Sequence, residues 1–300
     1  MGYIWFLPLG VFVGGVYNAF QYWMTREKEF KLITKTRMTQ SITGTTTQLG
    51  FGYIGLTPLG LIIGQVFNEG AGIFALLKYF FKKNKKIFSR VSIKSLKVTF
   101  KCFDSFPKYS TWEALTNSAG IQLPVLIIAA LAIGPEAGFL MLAMRLLSAP
   151  ISLIGGSVAQ VYLAEAAEKH HEGQLQEFTH GTVLILAKVG AVPLLLIGIV
   201  APVTIPFLFG DEWQRTGVLI AWMVPWFLMQ FITSPISMSL LITNNHKAAL
   251  LLQVFGVFLR VGCVWLTVEY FDTWLGEVYA VSGFIFYSIY LLVIMYFIRK

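Results

Sequence analysis

The feature that most limits how this chain can fold is a recurrence of apolar runs about twenty residues long, separated by short polar stretches. A helix rises ~1.5 Å per residue, so each run can cross a hydrocarbon layer of ~30 Å. Nine such segments can be read: Tyr3–Met24, Met38–Leu56, Thr57–Phe81, Trp112–Ile133, Glu136–Leu163, Thr179–Phe209, Gly217–Ile242, Ala248–Tyr270 and Trp274–Ile298. None alternates apolar and polar residues over ~10 positions, the signature of a membrane barrel strand. The expected fold is an all-α, polytopic membrane protein of about nine transmembrane helices. Composition agrees, since charged residues are only 13% of the chain against about 25% in soluble domains.

The net charge of +8 is therefore not an argument for nucleic-acid binding, because Lys and Arg in such proteins mark the cytoplasmic loops. Loop 25–37 carries five basic residues and loop 82–108 carries nine. Lys169, Lys247, Arg299 and Lys300 bring that face to 18 of the 23 Lys and Arg. The opposite face has Arg215 beside Asp211 and Glu212. This asymmetry predicts a cytoplasmic C-terminus and places the start of the chain on the opposite, outer side of its membrane. The first run has no basic residues before it and is broken by Asn18 and Gln21, unlike a signal peptide.

Loop 82–108 divides the chain. Residues 1–81 supply three helices, residues 82–111 a basic and partly amphipathic linker, and residues 112–300 a six-helix lobe. Within the linker, Ile93, Leu96, Val98 and Phe100 lie among lysines, a pattern suited to the surface of an anionic leaflet.

Charge inside the runs is the functional clue. Arg145 lies well within FLMLAMRLLSAPISLIGGSVAQVYLAE, where an arginine costs roughly 2.5–3.5 kcal/mol on insertion scales and normally faces protein or water. Arg145, Ser148, Ser152, Gly156, Ala159 and Gln160 share one helical face, and Pro150 is placed to bend the helix. Gln253, Gly256, Arg260, Cys263 and Thr267 form a second small or polar stripe. Lys188 sits about ten residues inside its run, from which a lysine can also snorkel to the interface. Against these three cations stands Glu69, clustered with Gln65, Asn68 and Gly72. The cation excess predicts an aqueous cavity for an anionic substrate, with Arg145, Arg260, Lys188, Gln253 and Ser152 as binding residues. Glu69 is the candidate for a coupling-ion site or an ion pair. Cys102 and Cys263 have no metal-ligand spacing, no nucleophile–base signature or phosphate loop is present, and no cofactor or catalytic activity is expected.

Three stretches carry a resemblance. YWMTREKEFKLITKTRMTQS (Tyr22–Ser41), MRLLSAPISLIGGSVAQVYLAEAAEKHHEG (Met144–Gly173) and FLFGDEWQRTG (Phe207–Gly217) resemble segments of bacterial polysaccharide (O-antigen-type) flippases. These belong to the multidrug, oligosaccharidyl-lipid and polysaccharide exporter superfamily. The resemblance implies two six-helix lobes around a central cavity and transport of an undecaprenyl-diphosphate-linked oligosaccharide from the cytoplasmic to the periplasmic leaflet. It implies the bilayer and polysaccharide polymerase or assembly proteins as partners. Relative to that pattern the first three helices have no counterpart, so half of an N-terminal lobe precedes a complete C-terminal one. A multidrug exporter of the same superfamily and a non-transporting remnant are the alternatives.

Overall fold

The computed structural model describes residues 6–55, 57–88, 92–131, 135–270 and 274–299, without the side chains of residues 6, 7, 57–59, 84–88 and 150. Of the residues discussed above, Tyr3, Leu56, Ile133 and Lys300 lie outside the description, as do the side chains of Thr57 and Pro150, and among the nine basic residues of loop 82–108 so do Arg90 and the side chains of Lys85 and Lys86. Every extended element among the described residues is a helix. That is what a lipid environment demands, since only intra-segment hydrogen bonding satisfies a spanning backbone without a closed sheet.

The chain forms two compact units, Met1–Lys101 and Cys102–Lys300, divided inside the basic linker. The first contains α1 (Phe6–Arg26), α2 (Phe30–Tyr53), α3 (Thr57–Gly70), α4 (Ile73–Phe88) and most of α5 (Ile93–Cys102). α2 and α3 form a long hairpin with α1 laid against α3, and the core is Tyr17, Met24, Ile33, Leu76 and Phe80. Tyr17 and Thr36 share a buried hydroxyl hydrogen bond of 2.9 Å. A Cβ at Gly72 would stand 2.7 Å from the Thr36 side chain and 2.8 Å from the Tyr17 ring, so only glycine lets the α3–α4 junction approach this closely. At the basic end Lys83 pairs with Glu27 at 2.8 Å, and Tyr79 donates to Glu29.

The second unit contains α6 (Thr111–Leu131), α7 (Glu136–His171), α8 (Leu175–Phe209), α9 (Gln214–Ile236), α10 (Ser239–Ile242), α11 (His246–Tyr270) and α12 (Leu275–Phe297). α9 is the central post: α7, α8 and α12 pack on it, α11 packs on α12, and α6 covers α11. Trp226 of α9 is buried edge-on against Tyr279 of α12, ring centroids 4.9 Å apart. Tyr162 of α7 shares a 2.7 Å hydroxyl bond with Thr179 of α8.

Six helical stretches among the described residues are long and apolar enough to cross a membrane: Gly60–Lys83, Phe106–Leu131, Leu175–Phe209, Asp211–Ile242, His246–Tyr270 and Leu275–Phe297. Glu136–Ala149 and Ile151–His171 make a seventh if taken as one span, bent by 42°. These correspond to seven of the nine runs. The remaining two are α1 and α2, whose composition falls short for a physical reason. Asn18 and Gln21 dilute α1, and TQSITGTTTQ makes half of α2 polar. In α2 the threonines bond back along the helix, Thr39 to the Lys35 carbonyl at 3.0 Å and Thr47 to that of Thr43 at 2.7 Å. That local satisfaction lets a hydroxyl-rich sequence stay helical.

Candidate functional site

The intramembrane cations occupy two unlike environments. Arg260 is completely buried. The buried stripe of α11 (Gln253, Gly256, Arg260, Val264, Thr267) turns inward because its residues recur every three or four positions. Nε of Arg260 donates to the Gly256 carbonyl at 3.1 Å, and the guanidinium lies 4.5 Å from the Phe286 ring centroid. Its two terminal nitrogens have no hydrogen-bond partner among the described residues. Two glycines make the room. A Cβ at Gly120 of α6 would meet the guanidinium at 2.5 Å, and one at Gly256 would meet the Phe286 ring at 2.3 Å. Tyr279 and Tyr287 are its electrostatic neighbours. Gln253, about two turns away, is also buried, and its side-chain oxygen has no hydrogen-bond partner among the described residues; Glu113 of α6 and Tyr290 of α12 flank it. α6, α11 and α12 thus enclose a buried, cation-bearing seam.

Arg145 is the opposite case. It is exposed on α7 together with Ser148, Ser152 and Gly156, and a Cβ at Gly156 would meet nothing within 4 Å. Ser148 and Ser152 bond back to Arg145 and Ala149 carbonyls at 3.2 and 2.9 Å, which leaves their oxygens able to accept from outside the helix. This face spans the point where α7 turns by 42°. Lys188 is exposed on α8, on the side opposite the buried Leu186, Gly190, Leu194 and Gly198. Arg260 and Gln253 therefore share the buried face of α11, Arg145 and Ser152 share a second face, and Lys188 stands on a third.

None of the three cations has a carboxylate partner among the described residues. In the first unit, Glu69 accepts a 3.0 Å bond from Gln65 while its backbone carbonyl accepts from Gln40 at 3.0 Å. Glu69 and Gln65 line a cavity of about 680 Å³ with Gly10, Gly14, Asn18, Leu61 and Val66.

The carboxylates that the sequence reading overlooked are Glu136 and Glu277. Arg215 binds Glu277 through two parallel bonds, 2.5 and 2.8 Å, and Glu136 at 2.8 and 3.2 Å. This clasp ties the first turns of α7, α9 and α12 together, and Glu277 is buried within it. The signal was faint but present: Arg215 is the lone base on its face, and Glu136 and Glu277 are acidic residues in the first turn of two spans.

Helices of this length and apolarity define a polytopic all-α membrane protein. The particular kind follows from comparison. Residues 1–217 match the family model described as polysaccharide biosynthesis protein, and the chain belongs to that family. No curated protein and no solved structure matches the chain. The matched range holds Glu69, Arg145, Ser152 and Lys188, whereas Gln253 and Arg260 lie beyond it.

Proposed function

We propose that the protein translocates a lipid-linked, anionic oligosaccharide across the bacterial inner membrane for surface polysaccharide synthesis. The undecaprenyl-diphosphate carrier is the substrate of choice and alternating access the mechanism. The observation that carries this reading is Arg145: an arginine at membrane depth, without a carboxylate partner among the described residues, on the exposed small and polar face of a bent helix. A diphosphate is the ligand such a site suits, because a guanidinium binds phosphate oxygens with paired, charge-assisted bonds. Ser148 and Ser152 add hydroxyls along the same face for sugar. The lipid tail stays in the bilayer while the headgroup crosses.

In this reading the basic face is cytoplasmic, Lys188 assists from α8, and the buried Arg260–Gln253 pair becomes available when α6, α11 and α12 part. Glu69, lined by a largely apolar cavity, serves as the coupling-ion group. Polysaccharide polymerase and other assembly proteins are the expected partners. A transporter also accounts for the family without invoking catalysis.

The test is complementation of a polysaccharide-export-null strain, with membrane insertion monitored in parallel. Arg145→Ala should abolish surface polysaccharide, Arg145→Lys should restore part of it, and both proteins should insert normally. Normal export by Arg145→Ala would overturn the assignment. The Glu69 cavity favours one other substrate, a cationic amphiphile, and drug resistance that depends on Glu69 and is indifferent to Arg145 would move the protein to multidrug export.

A further inference from the structure

α5 has no buried residue at all. Its ten residues, IKSLKVTFKC, carry four large apolar side chains, and every one is open: Ile93 is 76% and Phe100 69% exposed, with Leu96 and Val98 close behind. Such a helix would not persist in water for want of anything to bury.

Its two sets of residues are separated by geometry. At about 100° per residue, Ile93, Leu96 and Phe100 fall within one arc of about 60°, and Lys94, Lys97 and Lys101 within the neighbouring one. Val98 and Cys102 lie on the far side. The helix holds three lysines and no acidic residue, and Asp104 just beyond it is already paired with Lys108 at 2.5 Å. No described acidic side chain forms an ion pair with Lys94, Lys97 or Lys101.

Its position in the chain fixes what lies nearby. One candidate span ends at Lys83 and the next begins at Phe106. Cys102 is four residues from Phe106, a reach of at most ~14 Å. The C-terminal end of α5 is thus tethered within ~14 Å of the start of that span.

We propose that α5 docks flat on the bilayer leaflet and that its occupant is anionic phospholipid. Ile93, Leu96 and Phe100 enter the boundary between headgroups and acyl chains. The adjoining lysines lay their alkyl stems along it and place ammonium groups among the phosphates. Three lysines facing an anionic leaflet shift the ratio of docked to undocked helix by roughly a hundredfold relative to a neutral one. The linker between the two units is by this account a lipid-composition-dependent contact. The proposal is independent of the transported substrate.

The experiment uses the full chain in lipid nanodiscs, phosphatidylcholine alone or mixed with phosphatidylglycerol. An environment-sensitive fluorophore is attached either at Phe100→Cys, in a Cys102→Ser, Cys263→Ser background, or at native Cys102 in Cys263→Ser. Brominated acyl chains and aqueous iodide are the quenchers. In phosphatidylglycerol discs the position-100 probe should be quenched by brominated lipid and shielded from iodide, with the position-102 probe the reverse. The variant K94E/K97E/K101E, which alters no buried side chain, should return position 100 to iodide. Equal iodide access at both positions in both lipids would overturn the proposal, as would a pattern unchanged by charge reversal. Shielding that appears only in native membranes with their proteins would also overturn it, assigning the face to a protein.

Discussion

Arg260 and Arg145 show why a residue's number cannot reveal its environment. Both are arginines deep in apolar runs, and both sit on small or polar stripes. One ends inside a three-helix seam and the other on an open face. What separates them is which helix lies opposite. That depends on α6 and α12, which are far from α11 in the chain for one and adjacent for the other. The difference has a measurable consequence. A buried charge without a partner is expensive, and even buried ion pairs are often replaced by apolar groups of similar volume with no loss of stability or a gain of about 1–4 kcal/mol. Arg260→Met should therefore keep or raise the thermal unfolding midpoint of the purified protein in detergent, while export falls. A lowered midpoint would show that the guanidinium earns its place structurally, through the Gly256 carbonyl and the Phe286 ring.

Helices were legible where their apolar length alone decided the matter. Seven runs reappear as candidate spans, and the polar half of α2 was visible as TQSITGTTTQ. The turn between α3 and α4 was not. GAG at 70–72 reads as three small residues in one long run, and only the structure shows α3 giving way to α4 there, with Gly72 set closely against Tyr17 and Thr36. The stripe on α7 was readable from its spacing, but not the fact that it stays uncovered within its unit. That exposure makes a prediction about the element rather than the residue. A Cβ at Gly156 meets nothing within 4 Å among the described residues and the position is exposed, so Gly156→Leu should leave folding and insertion unchanged. If the face lines the substrate path, export should drop at least tenfold, measured as surface polysaccharide per molecule of inserted protein. Full export by Gly156→Leu would place the path elsewhere.

At the scale of the molecule, the division inside the basic linker separates two units with their own cores, one of five buried apolar residues and one far larger. The sequence placed that linker by its charge, since nine basic residues in one loop cannot be housed in hydrocarbon. Orientation rests on the same charge and can be read directly. Cys102 is exposed and sits in the linker. In intact cells a membrane-impermeant maleimide should leave it unlabelled, and permeabilisation of the inner membrane should make it react. Labelling before permeabilisation would reverse the topology.

The clasp at Arg215 adds a dimension of time. Glu136 precedes Arg215 by 79 residues, and Glu277 follows it by 62. At about 5–20 residues per second, a ribosome takes roughly 4–16 s to supply the arginine after Glu136 and roughly 3–12 s more to supply the second carboxylate. During the first interval α7 enters the bilayer with an acid at its rim and no counterion. During the second, Arg215 is only half engaged. The clasp is complete only once the start of α12 has been synthesised, so a nascent chain stalled before Glu277 carries an open ionic seam.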